Sequence, residues 1–195
     1  LHKAAITLTT SGALQVIQVA LGERRFVIGQ GGGIGMGIMF AVVGVGTGIG
    51  PIIARRYTED QSAALRRAIA VGFVMIVLGV TTIASLANFP TVLLGILLRG
   101  IGGGIVWVFS TQLLMQLVPA DVRGRVFASE FALFTLMGAV SAAATGWAID
   151  APILGLSKTL WVLAGLCAVP AALWGFCVWK GTICPFDDED GQSDE

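Results

Sequence analysis

Six long apolar segments, each about the length of a bilayer-spanning helix, constrain this sequence more than any other feature. A helix needs roughly 20 mostly apolar residues to cross a hydrocarbon core about 30 Å thick. The segments connecting them are short and leave little room for a soluble domain. The sequence therefore predicts an all-α membrane protein, a bundle of six transmembrane helices within residues 1–180. The predicted spans are about 4–21, 32–54, 68–88, 91–117, 126–149 and 159–179.

The composition is typical of a membrane protein and argues against several other classes. Hydrophobic residues make up 55% of the chain and charged residues 12%, whereas a soluble domain has about 25% charged residues. The formal net charge is zero, and no basic block interleaved with aromatic residues indicates nucleic-acid binding. The single histidine and three cysteines have no metal-ligand spacing, so neither a metal nor another cofactor is expected. The sequence contains no H-E-x-x-H or G-x-S-x-G motif, so an enzyme is not expected.

Basic residues predict the orientation of the bundle, because cytoplasmic loops carry an excess of Lys and Arg. One side collects three such residues, Arg24, Arg25 and Lys158. The other side collects eight, namely Lys3, Arg55, Arg56, Arg66, Arg67, Arg123, Arg125 and Lys180. Both chain ends are therefore expected in the cytoplasm. The acidic segment 181–195 is expected to be a disordered cytoplasmic tail, with partner binding as the alternative role.

The segment GVGTGIGPIIARR, residues 44–56, is rich in glycine but fits neither the G-x-G-x-x-G nor the Walker phosphate-binding pattern. On a helix its small residues form two opposite faces. The first face has Gly33, Gly37, Ala41, Gly44 and Gly48, and the second has Gly35, Gly46 and Gly50. Small residues four apart let helices approach closely in lipid, so Gly37, Gly44 and Gly48 are predicted packing contacts. A bending helix with a kink near Pro51 is the alternative.

Polar side chains form stripes on the first and fifth segments. The stripe on the first consists of Thr7, Ser11, Gln15 and Gln18, and that on the fifth includes Glu130, Ser141 and Thr145. Such stripes avoid lipid and face a neighbouring helix or a water-filled cavity. Glu130 is a candidate proton carrier if burial raises its pKa. The alternative for Glu130 is a solvated carboxylate near a helix start.

Arg99 lies deep within the fourth segment, roughly 13 Å from its outer end. A charge at that depth costs at least about 3 kcal/mol and is a functional-site hypothesis by default. A structural ion pair or a contact with a backbone carbonyl is the alternative. Segments three and six are apolar nearly all round, whereas one, two, four and five carry polar and small residues. The sequence therefore predicts an inner, cavity-lining set of four helices and two outer, supporting helices.

The stretch PADVRGRVFA at 119–128, which follows GIGGGIVWVFSTQLLMQLV, resembles the junction of the tenth and eleventh helices in major facilitator superfamily exporters. The similarity is closest to the bacterial branch that includes the enterobactin exporter and macrolide-type efflux proteins. The end of the second segment, GIGPIIARR, resembles the eighth helix of that branch. The resemblance covers about residues 3–180. It implies the C-terminal six-helix half of a twelve-helix fold, whose N-terminal half is missing here. Ala54 departs from the superfamily's cytoplasmic signature, which has aspartate there. Arg99 resembles the arginine in the fourth helix of the first half of drug-proton antiporters, but the glutamine expected three residues on is Gly102.

The resemblance implies a secondary active transporter of the bacterial inner membrane that exports a drug or siderophore-like molecule. Export would be coupled to protons and would proceed by alternating access. The expected partners are the lipid bilayer, a small-molecule substrate, protons and the missing half. The expected substrate path comprises Thr7, Ser11, Gln15, Gln18, Arg99, Trp107, Ser110, Ser141 and Thr145. Glu130 would couple protons, and the loops with Arg55, Arg56, Arg123 and Arg125 would gate the cytoplasmic face.

Two alternatives to proton-coupled efflux stay open. An uptake or uniport permease has the same fold and the same polar path. A non-transporting six-helix sensor or scaffold is the alternative from a different class.

Overall fold

The computed structural model describes the backbone of residues 2–58 and 62–180, and the side chains of 12–58, 64–116 and 118–176. The described residues form six long α-helices and one 3-10 turn, Gln30–Gly32, and they contain no strand. The helices are α1 (His2–Arg24), α2 (Gly33–Thr58), α3 (Ser62–Ala84), α4 (Phe89–Leu117), α5 (Arg123–Asp150) and α6 (Gly155–Lys180). Each predicted apolar segment therefore corresponds to one α-helix. The predicted tail at 181–195 lies outside the described residues.

Five helices are long and apolar enough to cross a bilayer within the described part of the chain. They give the spans Gln30–Thr58, Ala64–Ala84, Phe89–Gln116, Arg123–Asp150 and Gly155–Phe176. Helix α1 has 23 residues, which is also a sufficient length, but the side chains of its first half lie outside the described set. The chain is thus a helical, multi-pass membrane protein, as its apolar segments predict.

Short connecting segments join one helix to the next. Before α4, the Asn88 side chain accepts a hydrogen bond from the backbone N–H of Thr91 at 2.9 Å. This contact satisfies one of the free N–H groups at a helix start. Pro90 lies in the first turn of α4, where its missing N–H costs nothing. Pro51, by contrast, lies inside α2, which continues as a helix from Gly33 to Thr58.

Helix α4 is the centre of one group of helices, because it packs along both α2 and α3. Helices α2 and α3 barely contact each other. A second group forms around α1, which packs mainly along α5 and also touches α6. The two groups meet chiefly where α3 packs along α6. Buried side chains along this junction include Phe73 and Trp174, whose ring centroids lie 6.1 Å apart.

Glycines bring the backbones of α2 and α4 into direct contact. A methyl group on Gly46 would lie 2.8 Å from the carbonyl oxygen of Leu97, and one on Gly50 would lie 2.5 Å from that of Ile101. In the opposite direction, a methyl group on Gly100 would lie 3.4 Å from the Cα of Gly46. Because the neighbouring atoms belong to the backbone, Gly46 and Gly50 have no room for a side chain, and Gly100 is closely packed.

The two glycine faces of α2 have different surroundings. The face with Gly46 and Gly50 packs against α4. The face with Gly37, Gly44 and Gly48, which were predicted to be packing contacts, has no atom of another described helix within 4 Å of an added methyl group. Within the described chain, the packing surface is therefore the second face. A contact of Gly37, Gly44 and Gly48 with a helix outside it stays a prediction.

Alanine substitutions at Gly46 and Gly48 test the two faces separately, because the residues lie two positions apart on the same helix and therefore on different faces. We expect Gly46→Ala to lower the stability of the bundle by about 1 to 3 kcal/mol, the usual cost of overpacking. Gly48→Ala is the matched control and should leave stability unchanged or raise it by up to about 1 kcal/mol, since alanine favours helix. Thermal unfolding of the detergent-solubilised protein measures both. Equal effects of the two substitutions would contradict the observed packing.

Candidate functional site

Arg99 lies ten residues after Phe89, about 15 Å along α4 from its start. Its backbone faces Gly79 of α3, where an added methyl group would lie 2.6 Å from Arg99 N and 2.8 Å from Arg99 Cβ. The buried thiol of Cys167 in α6 is close enough to interact electrostatically with the guanidinium. The Arg99 side chain therefore leaves α4 on the side of α3 and α6 and is only partly buried there.

This position differs from the one that a substrate path between the inner four helices requires. Helices α3 and α6 were predicted to be supporting helices, and they are the ones beside Arg99. Neither an ion pair nor a hydrogen bond of the guanidinium is found among the residues that the structure describes. The structure thus gives Arg99 neither the ion pair nor the carbonyl contact that the sequence left as alternatives. Its positive charge in the middle of α4 is not balanced within the described chain.

The polar stripe of α5 is partly used for helix packing. The Ser141 hydroxyl is buried and accepts a hydrogen bond from the backbone N–H of Ala13 in α1 at 3.2 Å. One turn earlier, a methyl group on Gly12 would overlap the carbonyl of Gly138. Ser141 therefore holds α1 and α5 together in this structure. Such contacts between hydroxyls and neighbouring helices are common in membrane bundles.

Thr145 lies one turn after Ser141 in a groove of about 320 Å³ between α5 and α6. Thr159 of α6 lines the same groove, and its hydroxyl donates to the carbonyl of Gly155 at 2.6 Å. Both threonines are buried. Sequence reasoning missed Thr159, because it lies near the start of a segment that is otherwise apolar.

The polar stripe of α1 is described only in its second half. Gln18 is buried, with 4% of its surface exposed, whereas Gln15 is exposed. The side chains of Thr7 and Ser11 lie outside the described residues. The two glutamines, predicted to share one face, therefore have different surroundings in this structure.

Trp107 connects α4 to α5 near the end of the bundle where α5 begins. Its ring packs edge-to-face against Phe134, with centroids 4.8 Å apart. This geometry is the favoured one for aromatic pairs. The nearby Ser110 hydroxyl donates to the backbone carbonyls of Val106 and Trp107 in its own helix. Of the predicted path residues on α4, Trp107 therefore contacts α5, a predicted inner helix, whereas the Ser110 hydroxyl donates to the backbone of its own helix.

The predicted proton carrier Glu130 lies seven residues after the start of α5 and is partly buried. Its role in proton coupling stays a prediction. Arg55 and Arg56 lie in the last turn of α2 and are exposed. Arg125 in the first turn of α5 is exposed as well.

Arg123 has a defined structural contact. Its guanidinium donates to the carbonyls of Met115 and Val118, each at 3.1 Å, at the C-terminal end of α4. The last carbonyls of a helix lack partners within it, and a cation near them is favourable. Arg123 therefore caps α4 and fixes the short connection to α5.

Arg24 and Asp150 form an ion pair at the opposite end of the bundle, with 2.9 Å between Nη2 and Oδ1. The pair connects the last residue of α1 to the last residue of α5, and both side chains are more than half exposed. An exposed pair of this kind contributes little stability. Sequence reasoning missed it, because 126 residues separate the partners. Among the described residues, no three His, Cys, Asp or Glu side chains come together as metal ligands.

No model of a known protein family matches the chain, and no curated protein matches its sequence. The resemblance to major facilitator superfamily exporters therefore depends on the quoted residues alone.

Substitution of Arg123 tests whether this residue stabilises the end of α4 or acts only in the predicted gating loop. We expect Arg123→Gln to lower the stability of the bundle by about 1 kcal/mol, because it removes hydrogen bonds from a charged donor. Arg125→Gln is the matched control, since it removes the same charge two residues on from an exposed position. Thermal unfolding in detergent is the measurement. If both variants unfold at the same temperature as the parent protein, the contacts of Arg123 contribute nothing to stability.

Proposed function

We propose that the chain is one half of a secondary active transporter, which exports a small molecule in exchange for protons across a bacterial inner membrane. The observation that carries this proposal is a matched pairing of helices. Helix α1 packs along α5, and helix α2 packs along α4. The chain divides into two triplets of helices, α1–α3 and α4–α6, in which α1 corresponds to α4 and α2 corresponds to α5. The pair of α1 with α5 therefore corresponds to the pair of α4 with α2.

The two matched pairs also cross at matched places. Gly12 and Gly138 meet where α1 crosses α5, and Gly100 and Gly46 meet where α4 crosses α2. Gly12 lies ten residues after the start of α1, and Gly100 lies eleven residues after the start of the corresponding α4. Gly138 lies fifteen residues after the start of α5, and Gly46 lies thirteen residues after the start of the corresponding α2. The corresponding contacts of α3 with α4 and of α6 with α1 are both present, although α3 packs along α4 far more extensively than α6 packs along α1.

This pairing supports an inverted repeat. Three membrane crossings bring a chain to the opposite side of the membrane. The second triplet therefore begins on the opposite side from the first, and its orientation in the membrane is inverted. Inverted repeats of three helices are found within each half of major facilitator transporters, whose binding sites lie near the bilayer midplane between repeats. The pairing thus agrees with the resemblance and is independent of the residues on which the resemblance depends.

Arg99 is the central residue of the proposed mechanism. A charge at this depth needs a counter-charge or water, and the described chain offers no carboxylate to it. We infer that the counter-charge comes from an acidic group outside the described residues, which has to reach Arg99 on the side of α3 and α6 and not along a path between the four inner helices. Release of that group would let the two halves rock between inward-open and outward-open states, because each state would satisfy Arg99 differently.

The surface of α2 supports a second half as the partner. Its face with Gly37, Gly44 and Gly48 is open, and small residues allow close approach of another helix in lipid. At the end where α5 begins, Arg55, Arg56 and Arg125 are exposed and would form the cytoplasmic latch, with both chain ends on that side. Glu130 lies near this end and would carry the exchanged proton.

Everted membrane vesicles that contain the protein made from its complete reading frame test the proposal. Energised vesicles should accumulate a substrate dye, chosen from a panel of anionic and cationic dyes, and a proton ionophore should abolish the accumulation. Arg99→Gln should lower the initial rate about tenfold or more at equal protein level, because it removes the unpaired charge. The control Arg25→Gln, at the opposite end of the bundle from the proposed latch, should leave the rate unchanged.

The possible outcomes separate the alternatives. Accumulation that persists with the ionophore would contradict proton coupling and favour a uniport permease. A folded protein that moves no dye in either direction would favour a sensor or scaffold. Full transport by Arg99→Gln would remove Arg99 from the mechanism.

A further inference from the structure

A groove of about 490 Å³ lies between α2 and α3 at the end of the bundle where α2 ends and α3 begins. Ile101 and Ile105 of α4 form its floor, and Ile53 of α2 and Val71 of α3 lie on its two sides. Its volume falls within the range of about 300 to 1,000 Å³ that is typical of small-molecule sites. Ile53 and Val71 are each about half exposed, so the groove is open along its length.

The groove follows from the way in which α4 packs. A methyl group on Gly104 would overlap the carbonyl of Thr47 in α2, and one on Gly102 would overlap the carbonyl of Gly72 in α3. Each neighbour is therefore held tightly against its own face of α4. The two neighbours barely contact each other, so the strip of α4 between them is left uncovered. The gap between α2 and α3 therefore follows from backbone packing, and side chains of the three helices line it.

The chemistry of the groove changes from apolar to cationic along its length. Val71, Met75 and the two isoleucines of the floor give it an apolar inner part. At the helix ends, Arg67 and Tyr57 line its mouth, and both are exposed. The buried hydroxyl of Thr58 donates to the Ala54 carbonyl at 3.2 Å within its own helix. Arg67 is therefore the charged donor that the groove presents to a ligand.

The surrounding charge favours an anion at this mouth. Arg55 and Arg56 end α2, and Arg66 precedes Arg67 in α3. These four arginines outnumber the two acidic residues of the connecting segment, Glu59 and Asp60. A ligand that complements the groove has an apolar chain and an anionic head, and the bilayer itself supplies molecules of this kind. Basic pockets between membrane helices bind anionic lipid head groups in other proteins.

We propose that this groove binds one anionic glycerophospholipid, with an acyl chain along Val71 and Met75 and the phosphate at Arg67. The site is separate from Arg99 and goes beyond the proposed transport function, on which it does not depend. The bound lipid would cover the open strip of α4 between α2 and α3.

Native mass spectrometry of the detergent-purified chain tests this site. The protein is mixed with equal amounts of phosphatidylglycerol and phosphatidylcholine that have the same acyl chains, and the retained lipids are counted. We expect one retained phosphatidylglycerol, favoured over phosphatidylcholine about fivefold, as one arginine near an anionic head group predicts. Arg67→Gln should reduce this preference to near equality. The control Arg125→Gln, which removes an exposed charge outside the groove, should keep it.

A second pair of variants tests the apolar part of the site. Ala68→Phe places a ring in the groove and should lower retention of both lipids. Ala132→Phe adds the same ring at an exposed position of α5 and should not. Circular dichroism verifies that each variant keeps the helical content of the parent protein.

Several results would overturn the proposal. Equal retention of the two lipids by the parent protein would show that the groove does not select an anion. Equal behaviour of Arg67→Gln and Arg125→Gln would exclude Arg67 as the head-group contact. Displacement of the lipid by soluble glycerol phosphate would point to an anion site without an acyl chain. Formation of dimers that exclude lipid and are lost in Ala68→Phe would assign the groove to a second copy of the chain.

Discussion

Direct contact between helix backbones at glycine is the interaction on which the rest of this structure depends. Between helices in lipid the hydrophobic effect contributes little, because lipid tails are as apolar as the side chains they would replace. Close packing has to supply the attraction, and dispersion forces fall off steeply with distance. Helix α4 meets this requirement on two faces at once, with Gly100 and Gly104 against α2 and Gly95 and Gly102 against α3. These two contacts fix which helices lie on either side of α4.

Arg99 shows how the packing and the candidate site are connected. Gly79 lets the backbone of α3 approach Arg99 closely, and the buried thiol of Cys167 in α6 is within electrostatic range of the guanidinium. The same contact prevents α3 from supplying a larger polar group at that position. A cation is thereby held in the middle of a membrane helix, next to a thiol and without a carboxylate among the described residues. The energetic cost of such a charge is the reason to expect a counter-charge from outside the described residues.

The sequence predicts the helices well and their neighbours less well. Six apolar segments of sufficient length predict six helices, because the bilayer fixes both the length and the polarity of a spanning segment. Periodicity cannot decide which glycine face of α2 meets α4, since Gly44 and Gly48 are spaced in the same way as Gly46 and Gly50. The contacts of Ser141 with Ala13 and of Arg24 with Asp150 join residues more than 120 positions apart. Such contacts depend on the pairing of helices, which no local pattern encodes.

The packing also limits how such a bundle is able to move. Sliding α2 along α4 would drive the Leu97 and Ile101 carbonyls against Gly46 and Gly50, where no space is available. Closely packed interfaces of this kind resist continuous deformation. Motion within the bundle is therefore less favourable than motion of the bundle as a unit. The proposed alternating access, in which one half rocks against the other, requires motion of this rigid-body kind, and the proposed lipid between α2 and α3 would move with the bundle.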